Sequence, residues 1–436
     1  MSTVMIGVLG LVAFIVLVFL GIPITVSMAI AGVGGCMFLL KTPQSAFDML
    51  SSSIFGSFTS YTTSVAPMFI LMGELASETG IGNDLFDCFQ VLTGHQKAGL
   101  AKATTVVCAI FGAICGSTAA TSGMMSRVAH PQMMRYKYAP ELSVGTIASS
   151  ACLATLIPPS LHLITYGIAA ESSIGALLIA GCSVGIVLMI LFLITIMIIT
   201  TVNPTLAPDK APRATFKEMW KAIRHGGFIE VILVFGLSMG GMFAGWFTPT
   251  EAGSVGFAGM FIVALLFKRF TFKALFKALK NTMTMTGMIY CMIAAARSVG
   301  SMFTYSRIPT ALANWVAGFD VPRTVIILLL TLIYFVLGCL IDGVAIILLT
   351  VPVFLPVIKS LGYSEVWFGT YIVVICGLGA VTPPVGSACF VVSGTSGVDL
   401  ATTFKGCIPF WIAYVVCAIL LAFIPGLSTW LPSLMM

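Results

Sequence analysis

The landmarks of this 436-residue chain come in pairs. Pro131, Tyr138, Pro158, Pro159 and Gly181 recur as Pro356, Tyr363, Pro383, Pro384 and Gly406, each pair 225 positions apart. Both copies lie in very apolar sequence. The paired prolines, in LIPPS at 156–160 and VTPPVG at 381–386, would each interrupt a membrane helix, because proline removes a backbone donor and clashes with the preceding turn. Duplicated halves with one broken helix apiece are the pattern of secondary transporters whose site lies between the repeats.

The chain is 59% hydrophobic and only 8% charged, with a mean hydropathy of +1.09. Soluble domains carry roughly 25% charged residues, so this is an all-α polytopic membrane protein. A span needs about 20 residues at ~1.5 Å each, and the stretches 4–20, 173–200, 226–247, 251–267, 322–340 and 398–424 approach or exceed that. No cleavable signal peptide is expected, since the first segment lacks a basic leader and runs on into Gly21-Ile22-Pro23. The 12 cysteines are scattered singly, without a CxxC pair, and read as small buried hydrophobes.

The net charge is +6, and its placement carries the topology. Residues 203–225 hold Lys210, Arg213, Lys217, Lys221 and Arg224, and residues 268–280 hold Lys268, Arg269, Lys273, Lys277 and Lys280. The positive-inside rule puts both at the cytoplasmic face, two spans apart. Nucleic-acid binding, the other use of such clusters, does not suit a membrane chain. The partner of 268–280 is 43–55, which carries Asp48 and neither Lys nor Arg. Residues 95–137 hold Lys97, Lys102, Arg127, Arg135 and Lys137, while their partner 320–362 holds only Arg323 and Lys359. Each half is basic where the other is not, so the expectation is an inverted repeat with both termini periplasmic: a first repeat over 1–202, a basic cytoplasmic linker over 203–225, and a second repeat over 226–436.

Each repeat opens with two spans joined at a break, Gly21-Ile22-Pro23 in the first and Thr248-Pro249-Thr250-Glu251 in the second. The second break has the residues of a capping box, so Glu251 reads as a helix-start ligand in preference to an ion ligand. Amphipathic stretches follow, 44–62 and 270–283. In the latter Phe272, Leu275, Phe276 and Leu279 oppose Lys273, Lys277 and Lys280, the pattern of an interfacial helix at the cytoplasmic surface. Next come two segments that enter and leave the same membrane face as re-entrant helical hairpins. One turns at the small polar run 116–123, the other at Asp342-Gly343, with Pro131 and Pro356 on the return arms.

Irregular backbone at membrane depth is tolerated only where it lines a cavity or is buried in protein. The two hairpin tips and the two Pro-Pro breaks are such places. A broken helix offers carbonyls, which suit a dehydrated cation, and N–H groups, which favour an anion. One cation site would combine Gly116, Ser117 and Thr118 with Thr155 and Pro158; the other would combine Asp342 and Gly343 with Gly379, Thr382 and Pro383. Asp342 stands alone between Arg323 and Lys359 in charge, and a carboxylate at the bilayer centre costs at least about 2.5–3.5 kcal/mol. A cation beside it would offset that cost; a neutral capping Asp at the tip is the other reading, and Na⁺ and H⁺ both fit. Arg297, in MIYCMIAAARSVGSMF, offers a fork matched to a carboxylate, or else snorkels at a span end. Ser160, His162 and Ser117 are candidates to face substrate, with a neutral packed imidazole the alternative for His162. Arg127 belongs to the basic face. His95, His130 and His225 fall in expected surface segments and form no metal-spaced cluster.

At these residues the chain resembles the large membrane subunit of TRAP (tripartite ATP-independent periplasmic) transporters. The marks are Gly116-Ser117, LIPPS, FTPTEAG at 247–253, Asp342 followed by LTVPVFLPVI at 349–358, WFGTYIVV at 367–374, and VTPPVG. Cys115 departs from the small polar residue expected before Gly-Ser. The resemblance covers essentially the whole chain. It implies an elevator-type uptake system for organic acids, driven by two or more Na⁺ as coupling ions. It also implies a periplasmic substrate-binding protein, a separate small membrane subunit of about four helices, and surrounding membrane lipid. The Na⁺ sites it implies map onto Ser117, Pro158, Asp342, Pro383 and their neighbours. A stand-alone Na⁺- or H⁺-coupled carboxylate symporter of the same two-hairpin architecture is the alternative. An intramembrane aspartyl protease would need a second embedded aspartate, which Gly377-Leu378-Gly379-Ala380 does not supply. A channel would line a continuous pore with polar residues instead of gathering them at two tips.

Overall fold

The computed structural model describes residues 2–207, 213–317 and 322–435, with the side chains of His225, Ala313 and 315–317 outside that description. Lys210 of the basic linker therefore lies outside the described residues. All described elements are helices, and no strand occurs among them. Five described helices are long and apolar enough to cross a membrane, and shorter apolar helices accompany them. Their outward faces are apolar: Ile186, Ile190 and Ile194 line one side of Ile174–Val202, and Leu328, Leu329 and Leu332 one side of Arg323–Leu340, all exposed. Such surfaces are stable only against lipid or a partner helix.

Helix starts repeat at the spacing of the landmarks. Thr3 and Phe228, Ile24 and Pro249, Thr118 and Gly343, and Pro140 and Glu365 each open a helix, 225 positions apart. The opening pair in the first half is Thr3–Phe19 and Ile24–Leu40, separated by Gly21 at φ +81° and Pro23. In the second half Phe228–Phe243 meets Pro249–Leu266 at the expected capping box. The Thr248 N–H donates to Glu251 Oε2 at 2.8 Å, and the Glu251 N–H donates to Thr248 Oγ1 at 3.3 Å.

The amphipathic arms then differ, which corrects the expectation of a separate interfacial helix over 270–283. In the first half Pro43–Thr59 ends at Ser60, a short turn spans Thr62–Ser64, and Val65–Glu78 begins afresh. In the second half one helix of 35 residues runs unbroken over Phe272–Ser306. Hydroxyls serve both outcomes. Ser64 bonds the Tyr61 carbonyl within a turn. Thr282 and Thr284 instead bond carbonyls four residues back, at 2.7 and 3.0 Å, and the helix continues.

Hairpin 1 comprises Gly99–Cys115 and Thr118–Arg135, and hairpin 2 comprises Arg323–Leu340 and Gly343–Ser360. The first broken helix is Pro140–Ala151, a tight turn over Cys152–Thr155, then Leu161–Ala170; the second is Glu365–Gly379 followed by Ser387–Ser396. Both Pro-Pro bonds, 158–159 and 383–384, are cis. Ile174–Val202 and Leu400–Phe423 close the halves. The core lies where the halves interlock. Leu400–Phe423 packs on Pro140–Ala151 from the other half. A Cβ on Gly145 would lie 2.6 Å from the Gly406 Cα, so both glycines are needed for the backbones to meet. The long helix Phe272–Ser306 packs chiefly on Ile24–Leu40, Val65–Glu78 and Pro43–Thr59, with a smaller contact on Gly343–Ser360 of hairpin 2. The molecule thus has a framework around the long helix and a core of hairpins and broken helices.

Two smaller expectations are amended. His130 is buried, with Nδ1 2.9 Å from Ser143 Oγ, because Thr118–Arg135 packs on Pro140–Ala151. The cysteines are unpaired, and all but two are buried: Cys182 is half-buried and Cys291 is exposed. The Sγ atoms of Cys389 and Cys407 approach to 3.6 Å.

Candidate transport site

Each hairpin tip rests on the break of its own half. Gly116, at φ +59°, lies so close to the Pro159 carbonyl that a Cβ there would run into it. Gly112 meets Ala154 with similar intimacy, a Cβ on the glycine falling 2.8 Å from the Ala154 Cα. In the second half a Cβ on Gly379 would lie 2.6 Å from the Gly338 Cα, and the Val385 N–H donates to the Cys339 carbonyl at 3.2 Å. The small residues of both segments are what let tip and break touch.

The two tips and two breaks then enclose one cavity of about 270 Å³. Of the residues expected to act, Gly116, Ser117, Thr118, Thr155, His162, Asp342 and Gly343 line it. Pro158, Ser160, Gly379, Thr382 and Pro383 do not line it; all are buried except Pro383, which is exposed. Ser160 is fully buried, its hydroxyl bonding the Thr155 carbonyl and accepting the Leu163 N–H at 3.1 Å. It caps a helix; its hydroxyl does not face the cavity. Thr382 gives its hydroxyl to the Leu378 carbonyl at 2.7 Å, and the Gly379 carbonyl accepts the Thr382 N–H at 3.1 Å. Arg297 is not brought to the tips: it borders a separate cavity of about 660 Å³ farther along the long helix.

Four helices begin at the cavity wall. Thr118, Leu161, Gly343 and Ser387 are the first residues of their helices, and all four line it. Free N–H groups and positive dipole ends therefore converge on one small volume, a setting suited to an anion. Among the described residues, the only carboxylate on the wall is Asp342, and no Lys or Arg lines it. Asp342 is solvent-exposed within the cavity mouth, and its Oδ2 accepts the Val344 N–H at 3.0 Å, so the capping role is real. Oδ1 has no hydrogen-bond partner among the described residues and remains available to a cation. Ser117 caps the other tip, accepting the Ala120 N–H at 3.3 Å. Cys115 lies behind it, 3.1 Å from Thr121 Oγ1.

His162 ties the halves together. A Cβ on Gly343 would lie 2.7 Å from its Nε2, and its Nδ1 is buried without a partner among the described residues. The imidazole of the first broken helix thus abuts the tip of the second hairpin. A further wall comes from the framework: Met285, Met288, Ile289 and Met292 of the long helix. Sequence reasoning passed these over, although their spacing of i, i+3, i+4 and i+7 marks one helical face. No cluster of three or more His, Cys, Asp or Glu that could hold a metal ion occurs among the described residues.

Residues 11–427 match the family described as the Tripartite ATP-independent periplasmic transporter, DctM component. The chain belongs to the TRAP large-permease family. It is 30% identical over 92% of its length to the C4-dicarboxylate TRAP transporter large permease protein DctM of Pseudomonas aeruginosa, covering 93% of that protein. It is 27% identical over 96% of its length to the sialic acid permease SiaM of Vibrio cholerae, covering 96% of it. The ectoine permease TeaC of Halomonas elongata is 29% identical over 100% of this chain and 99% of its own. Among solved structures, the YdaH transporter of Alcanivorax borkumensis aligns with a TM-score of 0.64 at 15% identity, over 89% of this chain and 90% of that one. That likeness shows the shared all-α transporter fold. The permease is a membrane transport protein, not an enzyme, and its family is the large subunit of a tripartite assembly.

Proposed function

We propose that this permease carries an organic acid into the cell together with Na⁺, the acid being delivered by a periplasmic binding protein and a small four-helix subunit completing the membrane complex. One observation carries the reading: four helix N-termini and a lone carboxylate face the same 270 Å³ cavity. N–H groups without a basic side chain suit an anion that must leave again, because their attraction is moderate. Asp342 would repel that anion unless a cation sits on it, so the two ligands need each other. Co-transport follows from this interdependence. Relatives named for C4-dicarboxylates, sialic acid and 2,3-diketo-L-gulonate fit an acidic cargo.

The Na⁺ ions would be held at the tips, one by Gly116, Ser117, Thr118 and Thr155 backed by Pro158, the other by Asp342 and Gly343 backed by Gly379, Thr382 and Pro383. Ser117 and His162 are placed to contact the acid. Movement would be of the elevator kind, hairpins and broken helices sliding as a body past the long helix. Charge asymmetry between the halves supports an inverted repeat in an inner membrane, with Lys268–Lys280 cytoplasmic and both termini periplasmic. The test is uptake of labelled carboxylates into proteoliposomes holding the tripartite assembly. Accumulation should require an inward Na⁺ gradient, and equal accumulation under a proton gradient alone would overturn the Na⁺ assignment.

A further inference from the structure

The 660 Å³ cavity that Arg297 borders lies farther along the same helices that line the transport cavity. The same three elements line both. Met288 and Met292 of the long helix, Gly343 and Val344 of hairpin 2, and Leu161 and His162 of the first broken helix face the lower cavity. Farther along the same elements, Arg297 and Gly300, Leu348 and Pro352, and Ile168 and Ala169 face the upper one. The separations are 9 residues from Met288 to Arg297, 9 from Gly343 to Pro352 and 7 from Leu161 to Ile168, or roughly 10–14 Å along each helix axis. On all three elements the later residue belongs to the upper cavity, so the cavities stack along a common direction.

At this level the framework meets the core in ordinary van der Waals contact, without interlocking backbones. A Cβ built on Gly300 meets only Pro352, at 3.8 Å. Arg297 itself is exposed, and its guanidinium has no hydrogen bond or ion pair among the described residues. A cation without a partner beside a large cavity, on the framework side of a groove whose other side is the core, is poised for a partner that arrives with the core. The one acid on the same wall among the described residues, Glu171, belongs to the core and would be carried past Arg297 in any such shift.

We propose that Arg297 is the anion-attracting residue of the opposite, outward-facing state. This rests on the sliding core of the preceding reading. A displacement of one cavity spacing toward the end of the long helix brings the tips level with Arg297 and moves Glu171 beyond it. An acid entering from outside then meets helix N-termini and a guanidinium together. After the return slide Arg297 is left behind, and the acid faces the N–H groups alone, which favours release inward. Arg297 therefore sets a difference in anion affinity between two states without touching the lower cavity when the core is down.

The test uses the tripartite assembly in right-side-out and inside-out membrane vesicles, with Val344→Cys in a Cys291→Ser, Cys376→Ser background. The probes are two impermeant thiol reagents of similar size, the anionic 2-sulfonatoethyl and the cationic 2-trimethylammonioethyl methanethiosulfonates. The thiol introduced by Val344→Cys should be labelled from outside, with an anion preference that Arg297→Gln lowers about tenfold and Arg297→Lys preserves. Labelling from inside should show no change in preference with either variant. Absence of outside labelling under every Na⁺ condition would defeat the sliding core itself. Outside labelling with an unchanged preference in Arg297→Gln would defeat only the role of Arg297, as would an equal change from both sides.

Discussion

Ser117 and Asp342 occupy the same place in the two halves, 225 positions apart, and each accepts a backbone N–H to cap the returning arm of its hairpin. Their surroundings are equivalent as well, since each tip lies on the Pro-Pro break of its own repeat. What differs is charge: one cap is a neutral hydroxyl, the other a carboxylate with a free oxygen in the cavity. A duplicated scaffold has thus been given unequal ends. The hydroxyl tip can help ligate a cation whose charge is balanced elsewhere, while the carboxylate tip can neutralise one outright. The difference teaches that the two proposed ion sites should not be energetically interchangeable, and that removing charge from one tip is a different experiment from removing a cap from the other.

The largest effect is therefore expected at Asp342. Asp342→Asn keeps the size and a capping oxygen but removes the charge, and Na⁺-driven uptake should fall by at least about 100-fold, near 2.7 kcal/mol, while the thermal midpoint stays close to that of wild type. Uptake at wild-type rate would erase the distinction between the tips. Next in size is the pair of close approaches that seat the tips. Gly379→Ala puts a methyl 2.6 Å from the Gly338 Cα, whereas the matching position in the first half, Ala154, already carries one and is accommodated by Gly112. The glycine substitution should cost about 1–3 kcal/mol through overpacking, read as a lowered melting temperature in detergent, and Gly379→Ser should cost at least as much. Wild-type stability in both variants would show that hairpin 2 does not sit as described.

Much of this was legible in the sequence because proline and glycine report backbone geometry directly. The 225-residue register, the hairpin arms, both breaks and the capping box at Thr248 follow from those residues and from hydropathy. Contacts across the halves were not legible. Nothing local says that Gly145 must meet Gly406, or that His162 must abut Gly343, since those distances are set by how two helices cross. The unbroken helix Phe272–Ser306 was also missed, because a run of threonines serves equally as a breaker or as a series of back-bonded helical residues. The methionine face of that helix was visible as spacing but looked like ordinary core. Arg297 could be singled out as a charge, yet only the structure shows that it lies one cavity away from the tips.

A smaller effect should separate cap from ligand at the first tip. Ser117→Ala removes the hydroxyl that accepts the Ala120 N–H, at a cost of about 1 kcal/mol for a lost helix cap. If the hydroxyl is also a cation ligand, the Na⁺ concentration for half-maximal uptake should rise several-fold, and Ser117→Thr should restore it. A lowered melting temperature with unchanged Na⁺ dependence would reduce Ser117 to a cap.

The smallest effect is expected where the halves differ without consequence for transport. Thr248 and Pro23 are the matching positions before the second framework helix, and they start it by different means. Pro23 supplies a fixed φ and no side-chain bond, whereas Thr248 and Glu251 form a reciprocal capping box. The box lies in the open, where water can take over the freed N–H groups, so its loss should be felt locally. Thr248→Ala should therefore cost on the order of 0.5–2 kcal/mol of stability, and leave Na⁺-driven uptake unchanged. A drop in uptake with no loss of stability would move Glu251 from helix start to ion pathway.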